Sequence, residues 1–168
     1  MFTKSAVERL LQKKRPENFP LSIVRPAIIG AAWRDPFKGW VENITASTAL
    51  FFLSGIGFLK FIHSAYSKIA DIVPVDYVAD WTIVVGAVCA NKPGCHCFHS
   101  GTSYGNPHTY GMGRDMVEVW WSNNPPEKKL GPPNPILIAN KTLLELAYFQ
   151  RRLPAILYQQ FANVFGSS

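Results

Sequence analysis

Cysteine is scarce and does not come in pairs. Cys89, Cys95 and Cys97 make three, an odd number that excludes a closed disulfide framework. Charge is thin as well, at 17% of residues against 48% hydrophobic, which excludes a disordered chain. No stretch interleaves basic and aromatic residues, so nucleic acid is excluded as a partner. An apolar leader is missing, because Met1-Phe2-Thr3-Lys4 runs into an amphipathic helix. No signal peptide is therefore expected, and a reducing, cytosol-facing compartment is. Asn43-Ile44-Thr45 and Asn140-Lys141-Thr142 are accordingly read as coincidental sequons. There is no internal repeat.

Two other patterns fall short of a site. Cys95, His96, Cys97 and His99 suggest a metal, and Cys-x-Cys on a strand would put both thiols on one face. No second pair follows at ligand spacing, so no metal is expected. Ser100-Gly101-Thr102-Ser103-Tyr104-Gly105 lacks the spacing of a phosphate loop and reads as a strand-to-helix turn. His63 and His108 have no acidic neighbour in sequence, and each reads as an exposed or capped histidine rather than a general base.

What is present suits one domain with a core, in 168 residues carrying 11 Phe, 6 Tyr and 5 Trp. The net charge is +6, with much of the excess at Lys13, Lys14, Arg15, Lys128, Lys129, Arg151 and Arg152. Solvated helix ends account for these; attraction to a phosphate-rich cofactor, an acyl-CoA or a membrane surface is the functional alternative. The run from Ile44 to Ile62 has the length of a short membrane span. Gly55, Gly57, Lys60 and a Thr/Ser-rich start argue instead for a buried or pocket-lining segment.

Periodicity predicts a helix over Ser5–Arg15, with Ala6, Val7, Leu10 and Leu11 on one face and basic residues in its last turn. Pro16 and Pro20 end it, and the β-branched run from Pro20 to Trp33 reads as a strand of a parallel sheet covered on both faces. A helix followed by such a strand is half of a βαβ repeat. Ile72, Val73 and Val75 form a second strand. Asp76 reads as the N-cap of a helix carrying Val78, Trp81, Val85, Val88 and Cys89 at helical spacing; pairing with Asp71 as catalytic carboxylates is the weaker reading. A third strand starts at Cys95, a helix spans Pro107–Trp121, and a Pro-rich connection follows. Two short helices, Lys141–Phe149 and Leu153–Val164, close the chain, with Pro154 in the first turn of the second.

Lys4 stands at a helix start, where a cation opposes the dipole and needs a reason. Thr3-Lys4-Ser5 heading that helix, followed by a strand ending "RPAIIG", resembles the core of extended short-chain dehydrogenases/reductases, whose Tyr-x-x-x-Lys motif sits on this helix. "SIVRPAIIGAAWRDPFKGWVEN", "ADIVPVDYVAD", "FHSGTSYGNPHTYGMG" and "NNPPEKKLGPPN" are similar, more narrowly, to runs in the alcohol-forming fatty acyl-CoA reductases, also called male-sterility proteins. The resemblance covers nearly the whole chain.

The resemblance implies an α/β fold, the C-terminal half of a Rossmann-like NAD(P)-binding domain over residues 1–124. Residues 125–168 would form the helical start of the family's C-terminal region. It implies NADPH-dependent reduction of a long-chain fatty acyl-CoA to a primary fatty alcohol. Lys4 would be the catalytic lysine, gripping the cofactor ribose and lowering the pKa of the Tyr proton donor. Arg25, Pro26, Ala27, Ile28 and Ile29 would lie beside the nicotinamide. Pro36, Phe37, Gly39 and Trp40 would shape the mouth of the acyl tunnel. Ala49 to Phe61, including Phe51 and Phe52, would form one wall. The Tyr of Tyr-x-x-x-Lys would fall one position before Met1, and the Gly-rich pyrophosphate fingerprint is absent. The chain is thus expected to be an internal piece of a longer reductase, inactive alone, at a peroxisomal or endoplasmic-reticulum surface. A non-catalytic, lipid-surface-associated short protein is the other reading.

Overall fold

The computed structural model describes residues 2–44 and 46–165. Eleven elements follow in order: α1 (Phe2–Lys14), β1 (Pro20–Pro26), β2 (Ile28–Gly30), α2 (Ala46–Gly55), β3 (Phe61–Ile62), β4 (Ile72–Pro74), α3 (Val75–Cys89), β5 (Gly94–Ser100), α4 (Tyr110–Asn123), β6 (Ile136–Leu137) and α5 (Lys141–Phe165). The strands pair as three two-stranded sheets, β1 with β5, β2 with β4 and β3 with β6, each parallel. Parallel pairing through intervening helices is the α/β pattern.

The run expected as one strand is two. It pairs with β5 as far as Pro26 opposite Ser100, and the Ala27 N–H still donates to the Ser100 carbonyl at 2.9 Å. At Ile28 the N–H turns to the Asp71 carbonyl, 3.0 Å away, and the chain continues beside β4. The strand is also less covered than its composition suggested: Arg25, Pro26, Ile28 and Ile29 are exposed. The apolar face of α1 is exposed too, since that helix buries none of its residues.

The chain divides into two compact units, Met1–Phe52 with Ile69–His108, and Leu53–Lys68 with Thr109–Ser168. In the first, the core gathers where β4 meets α3, with Ala32, Ala70, Val73, Val85 and Cys89 buried. Of the residues read at helical spacing on α3, Val85 and Cys89 are buried, whereas Trp81 and Val88 are exposed.

In the second unit Gly111, Gly113 and Val117 of α4 are buried. The Cβ that Gly111 lacks would stand 2.3 Å from the Tyr66 ring. Tyr66 donates its hydroxyl to Asp115, and Arg114 pairs with both Asp115 and Glu118. Thr109 caps α4 through its hydroxyl, 3.1 Å from the Met112 nitrogen. Asn140, of the second sequon, caps α5 by accepting from Thr142 and Leu143; Thr45 of the first lies outside the described residues.

The two closing helices are one. α5 runs unbroken through Pro154. Proline removes the bond to the Gln150 carbonyl and crowds that oxygen with its ring, and Gln150 is exposed, so the oxygen can tilt out toward water. The Ile44–Ile62 run folds as the ten-residue α2, a turn and the short β3. Among the described residues no helix is long and apolar enough to cross a membrane.

Candidate functional site

Two contacts set the direction of α1 against the sheet. Glu8 grips Arg25, near the carboxyl end of β1, with both carboxylate oxygens. One turn later Gln12 donates to the Cys95 sulfur at 3.5 Å, at the opening of β5. Because Leu21, early in β1, lies opposite Cys95, α1 runs antiparallel to the strands. Its first turn therefore overhangs their carboxyl ends. Lys4 is exposed there, four residues before Glu8 and on the same helical face. The Arg25 bond holds the Glu8 carboxyl below its usual range, and the same bond holds the Arg25 guanidinium above its own.

Arg25, Pro26, Ala27, Ile28 and Ile29 span the point where the strand leaves β5 for β4. Ligands of parallel α/β sheets bind beyond the carboxyl ends of strands. Lys4 and these five residues share that end of the unit, which is how the structure brings the expected cofactor residues together. The Arg25 side chain itself is taken up by Glu8.

The turn after β2 is built with care. Gly39 donates to the Ala32 carbonyl at 2.8 Å and Ala32 donates to the Trp40 carbonyl at 3.0 Å, closing a loop whose neck, Ala32, is buried. Gly39 has φ +84°, a conformation that disfavours a side chain. The Asp35–Pro36 bond is cis. Inside the loop the Trp33, Arg34 and Asp35 N–H groups all donate to the Asp76 carboxylate, at 3.0, 2.7 and 3.2 Å.

Asp76 is therefore not the N-cap expected of it. Pro74 holds that position, without a side-chain bond, and Asp76 lies in the first turn reaching outward. Partial burial pushes its carboxyl up, but the backbone donors outweigh burial and bring it down to about 2.

Asp71 does for a second turn what Asp76 does for the first. Its Oδ1 accepts from the Thr102 N–H at 3.2 Å, and the Thr102 hydroxyl donates to the Ile72 carbonyl at 3.0 Å. A Cβ at Gly101 would stand 2.7 Å from Asp71 Oδ2, so a side chain there would push on that carboxylate. The two aspartates thus brace separate backbones rather than forming a carboxylate pair. A cleft of about 480 Å³ opens beside this turn, lined by Tyr77, Asp80, Trp81, His99 and Thr102 among others. None of the expected site residues lines it.

The expected acyl-mouth residues Pro36, Phe37 and Gly39 are exposed on the 33–40 loop, and Trp40 is half-buried. Phe51 sits edge-to-face on the His108 ring with centroids 6.5 Å apart, and Phe52 is 39% exposed on α2. The neighbouring Ser47 anchors α2 by donating to the Ile29 carbonyl at 3.3 Å. His63 meets the Ala139 carbonyl at 3.2 Å. Cys95 and Cys97 are exposed and unlinked. No cluster of three or more His, Cys, Asp or Glu side chains among the described residues could hold a metal ion.

The stretch carrying Lys4, the partner switch, the braced loop and Asp76 is also the stretch that a protein-family model recognises. The model described as "Male sterility protein", an NAD-binding family, matches residues 1–82. Fatty acyl-CoA reductase 1 of Xenopus laevis is 30% identical over 170 residues, 99% of this chain and 33% of that protein. Along nearly its whole length this chain is similar to fatty acyl-CoA reductases. Fatty acyl-CoA reductase 2 of Mus musculus is 33% identical over 169 residues, covering 98% of this chain and 32% of its own length. Probable fatty acyl-CoA reductase 5 of Arabidopsis thaliana is 35% identical over 132 residues, 78% of this chain and 26% of its own. The chain spans about a third of the length of the animal reductases it matches. The family is one of oxidoreductases with an NAD-binding domain, and its cofactor class is nicotinamide.

Proposed function

We propose that these residues form part of an enzyme reducing long-chain fatty acyl-CoA, through the aldehyde, to the primary alcohol with NADPH. The observation that supports this most is the gathering of Lys4, residues 25–29 and the 33–40 loop, all from one unit, at or beyond the carboxyl ends of parallel strands. In this reading residues 1–124 are the C-terminal part of the cofactor-binding domain, and 125–168 open the family's C-terminal region.

Lys4 would hold the cofactor ribose, and Arg25 to Ile29 would seat the nicotinamide with main chain and Pro26. Lys4 overhanging the carboxyl end of β1, where Arg25 and Pro26 close that strand, fits that seat. When bound, NADPH supplies the hydride for both reductions. Lys4 fixes orientation and keeps a positive charge beside the proton donor's position. Pro36, Phe37, Gly39 and Trp40 receive the acyl chain at the tunnel mouth, and the α2 face bearing Phe51 and Phe52 forms a wall. The protein acts at a peroxisomal or endoplasmic-reticulum surface.

The 168 residues hold no Gly-rich turn for the pyrophosphate. Alone they bind but do not turn over. The test is a titration of the purified chain with hexadecanoyl-CoA, followed by tryptophan fluorescence, since Trp33 and Trp40 lie in the loop. Saturable quenching without NADPH oxidation is expected. Absence of quenching overturns the acyl-CoA reading, and NADPH oxidation overturns the inactivity of the isolated chain.

One observation favours a second reading. Leu143, Leu146, Phe149, Leu153, Ile156 and Leu157 recur at three- and four-residue spacing along α5 and are all exposed, beside Arg151 and Arg152. Such a stripe suits the interface of an anionic membrane. Flotation with phosphatidylserine vesicles tests it; a chain that stays at the bottom of the gradient removes it.

A further inference from the structure

A loop that is both tightly ordered and apolar on its outside calls for an explanation. The 33–40 loop is closed at its neck by Gly39 and Trp40 on Ala32, and it is held inside by three backbone N–H groups on one carboxylate. Ordering a loop costs conformational entropy, which solvent-facing loops ordinarily do not incur without use. Yet this one shows Trp33 at 57% and Phe37 at 62% exposure. Large rings fixed toward solvent cost free energy unless something covers them.

The holding group comes from elsewhere in the chain. Asp76 lies in the first turn of α3, directly after β4, and β4 is the partner of the strand that leads into the loop. The carboxylate thus couples the end of β4 to the loop that follows β2. Two of its three bonds fall on one oxygen, Oδ2, and the third on Oδ1. A neutral amide offers a single accepting oxygen and no charge, so it can keep only part of this arrangement.

Resting on the acyl-CoA reading above, we infer that Asp76 is a positioning residue for acyl-chain recognition: by clamping the backbone at Trp33, Arg34 and Asp35 it fixes Trp33, Phe37 and Trp40 as the rim over which a long acyl chain enters. Asp76 touches no substrate itself. Its effect is on how the rim meets the apolar tail, so it discriminates long chains from short ones and from coenzyme A alone.

The experiment compares wild type, Asp76→Asn and Asp71→Asn as purified 168-residue chains. Each is titrated with hexadecanoyl-CoA, octanoyl-CoA and coenzyme A, and amide hydrogen exchange is followed at residues 33–40. Asp76→Asn is expected to weaken hexadecanoyl-CoA binding by about tenfold, octanoyl-CoA less and coenzyme A not at all, with faster exchange at 33–35. Asp71→Asn, which loosens the turn at Thr102, should leave the chain-length preference as it is. Equal affinities in wild type and Asp76→Asn overturn the inference alone, as does an equal loss in Asp71→Asn. No acyl-CoA binding by the wild type removes the parent reading and this inference with it. Should Asp76→Asn not fold, the wild type decides: hexadecanoyl-CoA must slow exchange across 36–40, and unchanged exchange overturns the inference.

Discussion

The Asp76 carboxylate lies 2.7 Å from the backbone nitrogen of Arg34, a residue 42 positions earlier in the chain. An acid that by position could have served its own helix braces a distant loop. Pro74, which has no side-chain acceptor, holds the N-cap of α3, and the loop after β2 gains its anchor from Asp76. The trade shows in the pH behaviour of that acid.

Asp76 has a native pKa of about 2 against an ordinary 3.8. A depressed carboxyl contributes stability that is fully present above its unfolded value and is lost as pH falls through the native one. Wild type should therefore lose stability between about pH 4 and pH 2 more steeply than Asp76→Asn, whose side chain does not titrate. Thermal melts across that interval decide it, and parallel acid limbs for the two proteins would falsify the clamp.

Gly57 is fixed twice over. Its φ is +72°, and a Cβ would stand 2.2 Å from the Gly131 carbonyl oxygen, a backbone atom with little room to move. Gly57→Ala should cost about 2–4 kcal/mol, from crowding and backbone strain together. Urea denaturation measures it; a loss under about 0.5 kcal/mol, the size of an ordinary surface substitution, would show the approach is looser than described.

Pro154 sits inside α5 among exposed neighbours. Pro154→Ala returns an N–H to the Gln150 carbonyl, and alanine is better than proline in a helix interior by about 3 kcal/mol. Gains in helical circular dichroism and in melting temperature are expected. A loss of either would mean that the proline ends one helix and starts another.

Lys4 is exposed on a helix that buries nothing. Lys4→Met should shift stability by no more than about 0.5 kcal/mol. In the proposed role it should also weaken NADPH binding by about tenfold, the scale of one charge-assisted bond. Calorimetric titration with NADPH reads this directly, and an unchanged affinity would leave Lys4 a surface residue.

Much of this protein is written locally. The helix at Lys4, the β-branched run from Pro20, the short strand at Ile72 and the α3 periodicity through Val85 and Cys89 could all be read from neighbours within a turn or two, because spacing of apolar residues is a near-neighbour property. The motifs around Arg25–Pro26 and Asp71–Asp76 likewise pointed to the reductase family. Other features depend on residues far apart in sequence. The split of one apolar run into β1 and β2 follows from which strand offers the next carbonyl, Ser100 or Asp71. The continuity of α5 through Pro154 goes with an exposed Gln150, four residues earlier. The Asp76 clamp joins groups with no common period, and nothing in "PVDYV" says that its carboxylate turns away from its own helix. Composition and periodicity pointed to the elements, and the quoted runs resembled the family; only the folded chain decided which distant backbone each carboxylate would hold, because an acid takes the free N–H groups that folding brings within 3 Å or so.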